Sequence, residues 1–298
     1  MTRVVRVIVV GDLVTDVLVM TSGPVAFGSD TDARVSQRGG GAAANTACWL
    51  AECGVATALV ARVGKDEAGR ARTLELLGAG VDAVIATDDD AATGTVVVVI
   101  GADGERTMLA DRGANRRLCV EDLSGPAFAG ATHLHLSGYL FFDGGSRGAA
   151  RYALARARST GLTVSVDAAS AAPLARIGAG AFLGWSGGAD LLLANAEEAQ
   201  VLTGSDRPGS AARQLSRHFG AAVVKAGAEG AVWAAQEEVV SCRAQPASVL
   251  DTTGAGDAFA AGLLAAWLAG SAPAGALAAG AALAARAVAM AGGRPTDR

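Results

Sequence analysis

The sequence predicts an α/β fold, a central and mostly parallel sheet covered by helices on both faces. Three observations carry this expectation. Short apolar runs recur along the chain, helical stretches separate most of them, and no long linker or internal repeat interrupts the alternation. Hydrophobic residues make up 51% of the 298 residues and charged residues 18%, enough apolar material for a sizeable core and too little charge for disorder. A single unit over residues 1–298, with a small β appendage, is the simplest account of these patterns.

The run at 4–10 is apolar and stops at Gly11-Asp12, which reads as a buried parallel strand. Gly39-Gly40-Gly41 precedes an Ala-rich helical stretch at 42–53. Further strands are expected at 57–63, 133–137, 163–167, 191–194 and 221–225, with helices at 69–77, 149–160 and 211–219 between them. Two late helices, 258–268 and 274–290, flank Gly270-Ser271-Ala272-Pro273 and are rich in small residues that permit close packing. Two segments break the pattern. Residues 14–38 have β-prone pieces without a clear helix, and 93–109 reads as two strands around a turn at Ala102-Asp103-Gly104. The expectation is a small β-layer built from both, apart from the main sheet.

Composition removes several classes of function. A net charge of -4 leaves no basic footprint for nucleic acid. Gly or charge breaks every apolar stretch before the roughly 18 residues that a membrane helix needs. The first ten residues lead straight into GDLVTD and read as a strand, not a signal peptide, so a cytoplasmic location is expected. Cys48, Cys53, Cys119 and Cys242 lack CxxC spacing, which disfavours a zinc site or a disulfide framework. His133 and His135 alternate on one strand and read as packed or hydrogen-bonded side chains. Trp49, Trp185, Trp233 and Trp267 share no spacing and read as core.

The chemistry is concentrated in Asp251-Thr252-Thr253-Gly254-Ala255-Gly256-Asp257-Ala258-Phe259, a glycine turn that feeds a long helix. The first turn of a helix has free N–H groups and partial positive charge, and glycine lets an anion approach that backbone. Gly254, Ala255 and Gly256 are therefore candidates to cradle a phosphate. Asp257, at the same helix start, is placed to accept a proton from an attacking hydroxyl, with a helix cap as the alternative role. There is no Gly-x-x-x-x-Gly-Lys-Ser/Thr, so this is not a P-loop.

DTTGAGDAFAAG resembles the second signature of the ribokinase-like sugar kinases, the PfkB family. The first signature is matched by Gly40-Gly41-Ala42-Ala43-Ala44-Asn45 with Leu50-Ala51-Glu52-Cys53-Gly54. Other matches follow in the family's order: Gly11 through Asp16, Val63-Gly64-Lys65-Asp66, Gly113-Ala114-Asn115, Ser137-Gly138, Asn195-Ala196-Glu197-Glu198 and Lys225-Ala226-Gly227 with Gly230. The resemblance implies a ribokinase-like three-layer sandwich with a β-lid at about 14–38 and 93–109. It implies an ATP-dependent phosphotransferase acting on a hydroxyl of a small sugar or sugar acid. Asp257 would be the base and Gly254, Ala255 and Gly256 the anion hole. Asp16, Gly40, Gly41 and Asn45 would hold the sugar. Asp12 would face the same pocket or cap a turn.

The resemblance further implies that Asn195 and Glu198 place magnesium and the phosphates, largely through water. Lys225, Gly227 and Gly230 would line the nucleotide site; Lys225 would meet a phosphate or point to water. Asp251, with the loop near Gly292-Gly293, would hold potassium. Val14 and Ala42 replace an Asn and a Lys of ribokinase itself, which weakens ribose as substrate, and Ala281 replaces a polar neighbour of adenine. The alternatives are a nucleoside kinase, for which Phe27, Phe141 and Phe142 are candidate base clamps, and a sugar-binding sensor without catalysis. A homodimer joined through the lids is also expected, because four consecutive valines, Val96 to Val99, make both faces of one strand apolar.

Overall fold

The computed structural model describes residues 5–101, 106–123 and 125–295. Its elements run β1 (Arg6–Val10), β2 (Val14–Thr21), β3 (Ala33–Gly40), α1 (Ala42–Glu52), β4 (Ala56–Gly64), α2 (Glu67–Gly78), β5 (Asp82–Asp88), β6 (Gly94–Ile100) and β7 (Arg106–Asp111). Then follow β8 (His133–Ser137), α3 (Tyr139–Phe142), α4 (Gly144–Ser159), β9 (Thr163–Asp167), α5 (Ala171–Ile177), α6 (Ala179–Ser186), β10 (Leu191–Asn195), α7 (Ala196–Thr203) and α8 (Pro208–Leu215). The chain closes with β11 (Ala221–Lys225), β12 (Ala231–Ala235), β13 (Glu238–Cys242), α9 (Ala255–Leu268) and α10 (Pro273–Val288).

Nine strands form the main sheet in the order β13-β12-β11-β10-β9-β8-β1-β4-β5. The seven from β11 to β5 pair in parallel, and β12 pairs antiparallel with both β11 and the edge strand β13. Both faces are covered, so strands such as β1 and β10 are apolar without alternation, whereas β8 and β9 alternate apolar residues with hydrogen-bonding ones. Ile8 and Val10 of β1 pack into one core with α4 to α8, while Val7 and Val9 pack into the other with α1, α2, α9 and α10. Small residues set the spacing of the last two helices. A Cβ at Gly262 would lie 2.7 Å from the Ala279 carbonyl oxygen. The fold is that of an α/β protein with a mostly parallel sheet, as the alternation predicts.

The two irregular segments pair with each other. β2 runs parallel to β6, from Val14 opposite Gly94 to Met20 opposite Ile100, and the four-stranded sheet has the order β3-β2-β6-β7. The turn read at Ala102-Asp103-Gly104 lies outside the described residues. Asn115 holds the link between β1 and this sheet: its Oδ1 accepts from Leu13 N at 2.9 Å and its Nδ2 donates to Leu13 O at 3.1 Å.

Differences from the sequence reading have local causes. The β12–β13 turn is Gln236-Glu237, with Gln236 at φ 51°, so the glycine or asparagine that usually announces a hairpin is missing. α8 starts at Pro208, earlier than 211, because proline suits a first helical turn. Trp49 and Trp233 are buried, and Trp185 and Trp267 pack against the two cores. Among the described residues no cluster of His, Cys, Asp and Glu could hold a metal, and no helix is long and apolar enough to cross a membrane.

The two strand histidines form a buried hydroxyl ladder. His133 Nδ1 meets Thr163 Oγ1 at 2.8 Å, His133 Nε2 meets Ser165 Oγ at 2.8 Å, and His135 Nδ1 meets the same Ser165 Oγ at 2.7 Å. Burial pushes His133 down to about 3 and His135 down to about 4. Both stay neutral in the folded state while the unfolded chain takes up protons, so they draw down stability as pH falls from about 6.5 towards 4. His135→Gln, which keeps a partner for Ser165, is expected to lose less stability than the wild type between pH 8 and pH 5. Urea midpoints at the two pH values measure this, and an unchanged difference would exclude the ladder as an acid-sensitive element.

Candidate functional site

All parallel strands point the same way, so their carboxyl ends share one edge of the sheet. Ligands of open α/β sheets bind at such an edge. Asp12 follows β1, Ser137 ends β8, Asp167 ends β9, Asn195 ends β10 and Lys225 ends β11. The first turns of α1 and α9 arrive at the same edge.

α9 begins with Gly254 at φ 72°, a backbone conformation that suits glycine, and no side chain caps this end. A Cβ on Gly254 would also lie 2.5 Å from Gly293 Cα. The first-turn amides of Gly256 and Asp257 lack carbonyl partners within the helix and can face an anion. Lys225 lies beside them: its Nζ is 3.4 Å from where a Gly256 Cβ would stand. Asp257 sits in this turn, with Oδ2 accepting a hydrogen bond from Asn45 Nδ2 at 2.9 Å. Burial pushes the Asp257 carboxyl well above the ordinary range, Asp167 and Asp12 push it the same way, and Asn45 and Lys225 oppose them.

Asp12 is occupied within the protein. Its Oδ2 accepts from Ala42 N at 2.8 Å and its Oδ1 from Ala43 N at 3.4 Å and from Ser137 Oγ at 3.0 Å, so it caps α1. Asp16, on β2, makes no hydrogen bond to a described residue and its oxygens remain open to a ligand. Gly40 on β3 is opposite: a Cβ there would stand 2.2 Å from the Asp16 carboxyl group. Gly41 precedes α1, and Asn45 lies one turn into it. Burial raises Asp16 to about 6, with Arg294 lowering it and Asp12 adding to the rise.

On the other side of Asp257, Lys225 Nζ pairs with Asp167 Oδ2 at 2.8 Å and does not point to water. Asn195 and Glu198 form a reciprocal cap at the start of α7. Asn195 Oδ1 accepts from Glu198 N, Glu198 Oε2 accepts from Asn195 N, and Glu198 Oε1 accepts from Asn195 Nδ2, each at 2.8 Å. Burial and the nearby Asp167 raise Glu198 to about 7. A cavity of about 600 Å³ opens beside Lys225, lined by Gly227, Gly230, Thr252, Ala255, Gly256, Phe259, Ala281 and Val288 among others. Asp251 lies between the α9 turn and the C-terminal loop, its Oδ1 accepting from Thr253 N at 2.8 Å and its Oδ2 from Gly292 N at 2.9 Å.

The chain is similar to known proteins in sequence and in fold. Residues 5–297 match the family model described as pfkB family carbohydrate kinase. The chain belongs to that family. It is 33% identical over 286 residues to a fructokinase of Klebsiella pneumoniae, covering 90% of this chain and 86% of that one. It is 30% identical over 269 residues to an ATP-dependent ribose-1-phosphate kinase of Halopiger xanaduensis, covering 89% and 85%. Among solved structures, adenosine kinase from Sinorhizobium meliloti superposes with TM-score 0.89 at 25% identity, over 98% of this chain and 96% of that one. The chain is a ribokinase-like carbohydrate kinase, an ATP-dependent phosphotransferase for a hydroxyl of a small sugar or sugar acid.

Three residues of the site escaped the sequence reading. Asp167 is the carboxylate on Lys225, and the rule that ligands gather at strand carboxyl ends would have singled it out. Tyr139 follows Ser137-Gly138, with its phenol pushed up to about 12 by burial and by Asp12. Arg294, in a terminal loop without periodic signal, donates Nη2 to Gly40 O at 2.8 Å and Nε to Asn45 Oδ1 at 3.2 Å. Phe141 and Phe142, candidate base clamps, pack against Phe182 in the core, and Phe27 is 98% exposed.

The raised Asp16 carries a linkage consequence. A folded value of about 6 against an ordinary 3.8 means that stability from its protonation is present at low pH and is lost as pH rises through about 6. Asp16→Asn is therefore expected to raise Tm at pH 8, and to raise it less at pH 5. Calorimetry at both values checks this; an equal shift at both would show that charge is not the cause.

Proposed function

We propose that Asp257 is the general base that accepts the proton of the sugar hydroxyl as phosphoryl transfer from ATP proceeds. The observation that carries this reading is the meeting of Asp257, at an uncapped helix start, with the sugar-side Asn45 at 2.9 Å. As the sugar oxygen bonds to the γ-phosphorus and the bridging oxygen of ADP leaves, the hydroxyl proton passes to an Asp257 oxygen. Once ionised, a carboxylate held above its ordinary range binds a proton more tightly than an exposed one. The Gly254–Gly256 turn and the amides that follow it face the charge on the transferring group, and Lys225 adds a positive point charge.

Asp16, with both oxygens open, accepts hydrogen bonds from sugar hydroxyls, and Gly40 and Gly41 let the ring lie close to the backbone. The nucleotide occupies the cavity beside Lys225. Magnesium fits this donor set as an ion held mostly by water and phosphate: both Glu198 oxygens already accept N–H groups, which leaves outer-shell contacts from Glu198 and Asn195. When bound, it supplies charge neutralisation of the phosphates. For potassium at Asp251, both carboxylate oxygens already accept backbone amides, so loop carbonyls would supply most ligands.

The test of the base is Asp257→Ala. Turnover is expected to fall by a factor on the order of 10² or more, with apparent sugar affinity changed much less. ADP release against a panel of sugars, sugar acids and nucleosides names the substrate in the same assay. Near-normal turnover of Asp257→Ala would reduce Asp257 to a structural residue.

The four-stranded sheet covers the sugar, and we extend the proposal to a homodimer through its outward face. Val98 and Leu18 share the Asp16 face and are buried, whereas Val35 and Leu109, both 59% exposed, share the opposite face with Val97 and Val99. A second copy is the economical cover for that apolar face. Val97→Lys with Val99→Lys is expected to halve the mass seen by light scattering, from twice 29.5 kDa. A wild-type monomer would end this part of the reading.

A further inference from the structure

We infer that Arg294 is a positioning residue for the transfer reaction: it fixes the side-chain amide of Asn45 in the one orientation that turns an N–H donor towards Asp257. This rests on the reading of Asp257 as the base. An asparagine amide has two ends of equal size and opposite character, so packing alone does not choose between them. Arg294 does choose. Its guanidinium carries donors only, and its Nε lies 3.2 Å from Asn45 Oδ1. With the oxygen taken, Nδ2 is left for Asp257 Oδ2 at 2.9 Å.

The arginine is itself held in place. Nη2 donates to the Gly40 carbonyl at 2.8 Å, Nη1 meets Glu75 Oε2 at 3.3 Å, and the side chain is only 12% exposed. Its loop is pinned by Trp49 Nε1 donating to Gly293 O at 2.9 Å and by Gly292 N donating to Asp251 Oδ2 at 2.9 Å. A Cβ at Gly293 would stand 2.5 Å from Asn45 Nδ2, so the loop approaches the amide as closely as a glycine permits. One guanidinium thus bridges the sugar strand, through Gly40, and the amide that touches Asp257.

The orientation matters because of charge. Asp257 is crowded by Asp167 from β9 and Asp12 after β1, with Lys225 from β11 opposing them. An amide N–H stabilises the ionised carboxylate that can take a proton. A reversed amide would offer its oxygen and stabilise the protonated form. Around Arg294 stand Cys48 of α1, Glu75 and Arg72 of α2, and Asp16 of β2. Loss of Arg294 therefore also raises Asp16, but that effect belongs to sugar binding and falls away in kcat at saturating sugar, which reports the bound complex.

The experiment measures kcat against pH at saturating sugar and ATP for the wild type, Arg294→Met, Asn45→Ala and the double variant. Arg294→Met is expected to lower kcat about ten- to a hundredfold, the scale of lost supporting hydrogen bonds around a site. It should also move the acid limb of the profile up by roughly one pH unit. In the Asn45→Ala background the same substitution should cost less than about twofold, because its route to Asp257 is already gone. An unmoved acid limb, or a full repeat of the loss in the Asn45→Ala background, overturns the inference. If Arg294→Met does not fold by circular dichroism, Arg294→Gln carries the same comparison. Asp257→Asn separates the two readings: if it stays active, the base assignment has failed; if it is inactive while Arg294→Met leaves the limb unmoved, only the role of Arg294 has.

Discussion

The hydrogen bond from Asn45 to Asp257 joins residues 212 positions apart, and much of the site exists to make that meeting possible. Each partner stands in the first turns of a helix that starts at the carboxyl edge of the sheet. α1 is fixed there by Asp12, which takes the amides of Ala42 and Ala43 and the hydroxyl of Ser137 in one grip. α9 is fixed by the Asp251 turn and by the contact of Gly254 with Gly293. A helix start oriented by its cap presents side chains in a fixed direction, so two fixed starts can hold a side-chain contact that a pair of loops could not. Asp12 has a structural role here, since it aims α1 through the amides of Ala42 and Ala43.

Charge imposes the second constraint. Asp167, Glu198 and Asp257 crowd one region with a single amine, Lys225, among them. Lys225 is paired to Asp167 at 2.8 Å and is held in its charged form by its acidic neighbours against its burial. The remaining acids rise, chiefly because they are buried and further because Asp167 is near, Glu198 to about 7 and Asp257 well above its ordinary range. Phosphate groups would add negative charge here, so the helix amides, Lys225 and a divalent cation have to enter the balance together. The glycine turn before α9 and Lys225 adjoin each other, so both positive contributions fall on the same side of this acidic group.

The alternation of apolar strands and helices made the layered fold legible, and the two segments without helices stood out because they had to be something else. The glycine turn before α9 was legible because glycines, an acid and a following helix occur together in a few residues. Arg294 was hidden for the opposite reason: its partners Gly40, Asn45 and Glu75 lie 254, 249 and 219 positions away, and a loop residue has no period to betray its direction. Asp12 shows the limit from the other side. Its residue type suited a sugar ligand and a helix cap equally, and only the backbone amides of Ala42 and Ala43 show how its oxygens are used. The β12–β13 hairpin lacked the usual turn residues, so neither of its strands announced itself.

The Ala-rich end of the chain meets two requirements with the same residues. α9 and α10 cross closely because Gly262 and Gly280 leave room for backbone from the opposing helix. The next turns of α10 bring Ala281, Ala284, Ala285 and Val288 to the wall of the cavity that we assign to the nucleotide. Larger side chains there would both push the helices apart and fill the cavity. With alanine at these positions the wall offers shape and apolar area but no side-chain donor or acceptor. The polar side chains of the lining come from elsewhere in the chain, at Lys225, Gln245 and Thr252. Such a cavity can hold a ligand by shape and apolar area along α10 and by polar groups on the rest of its lining, the division of labour expected where a few placed polar groups orient a mostly apolar contact.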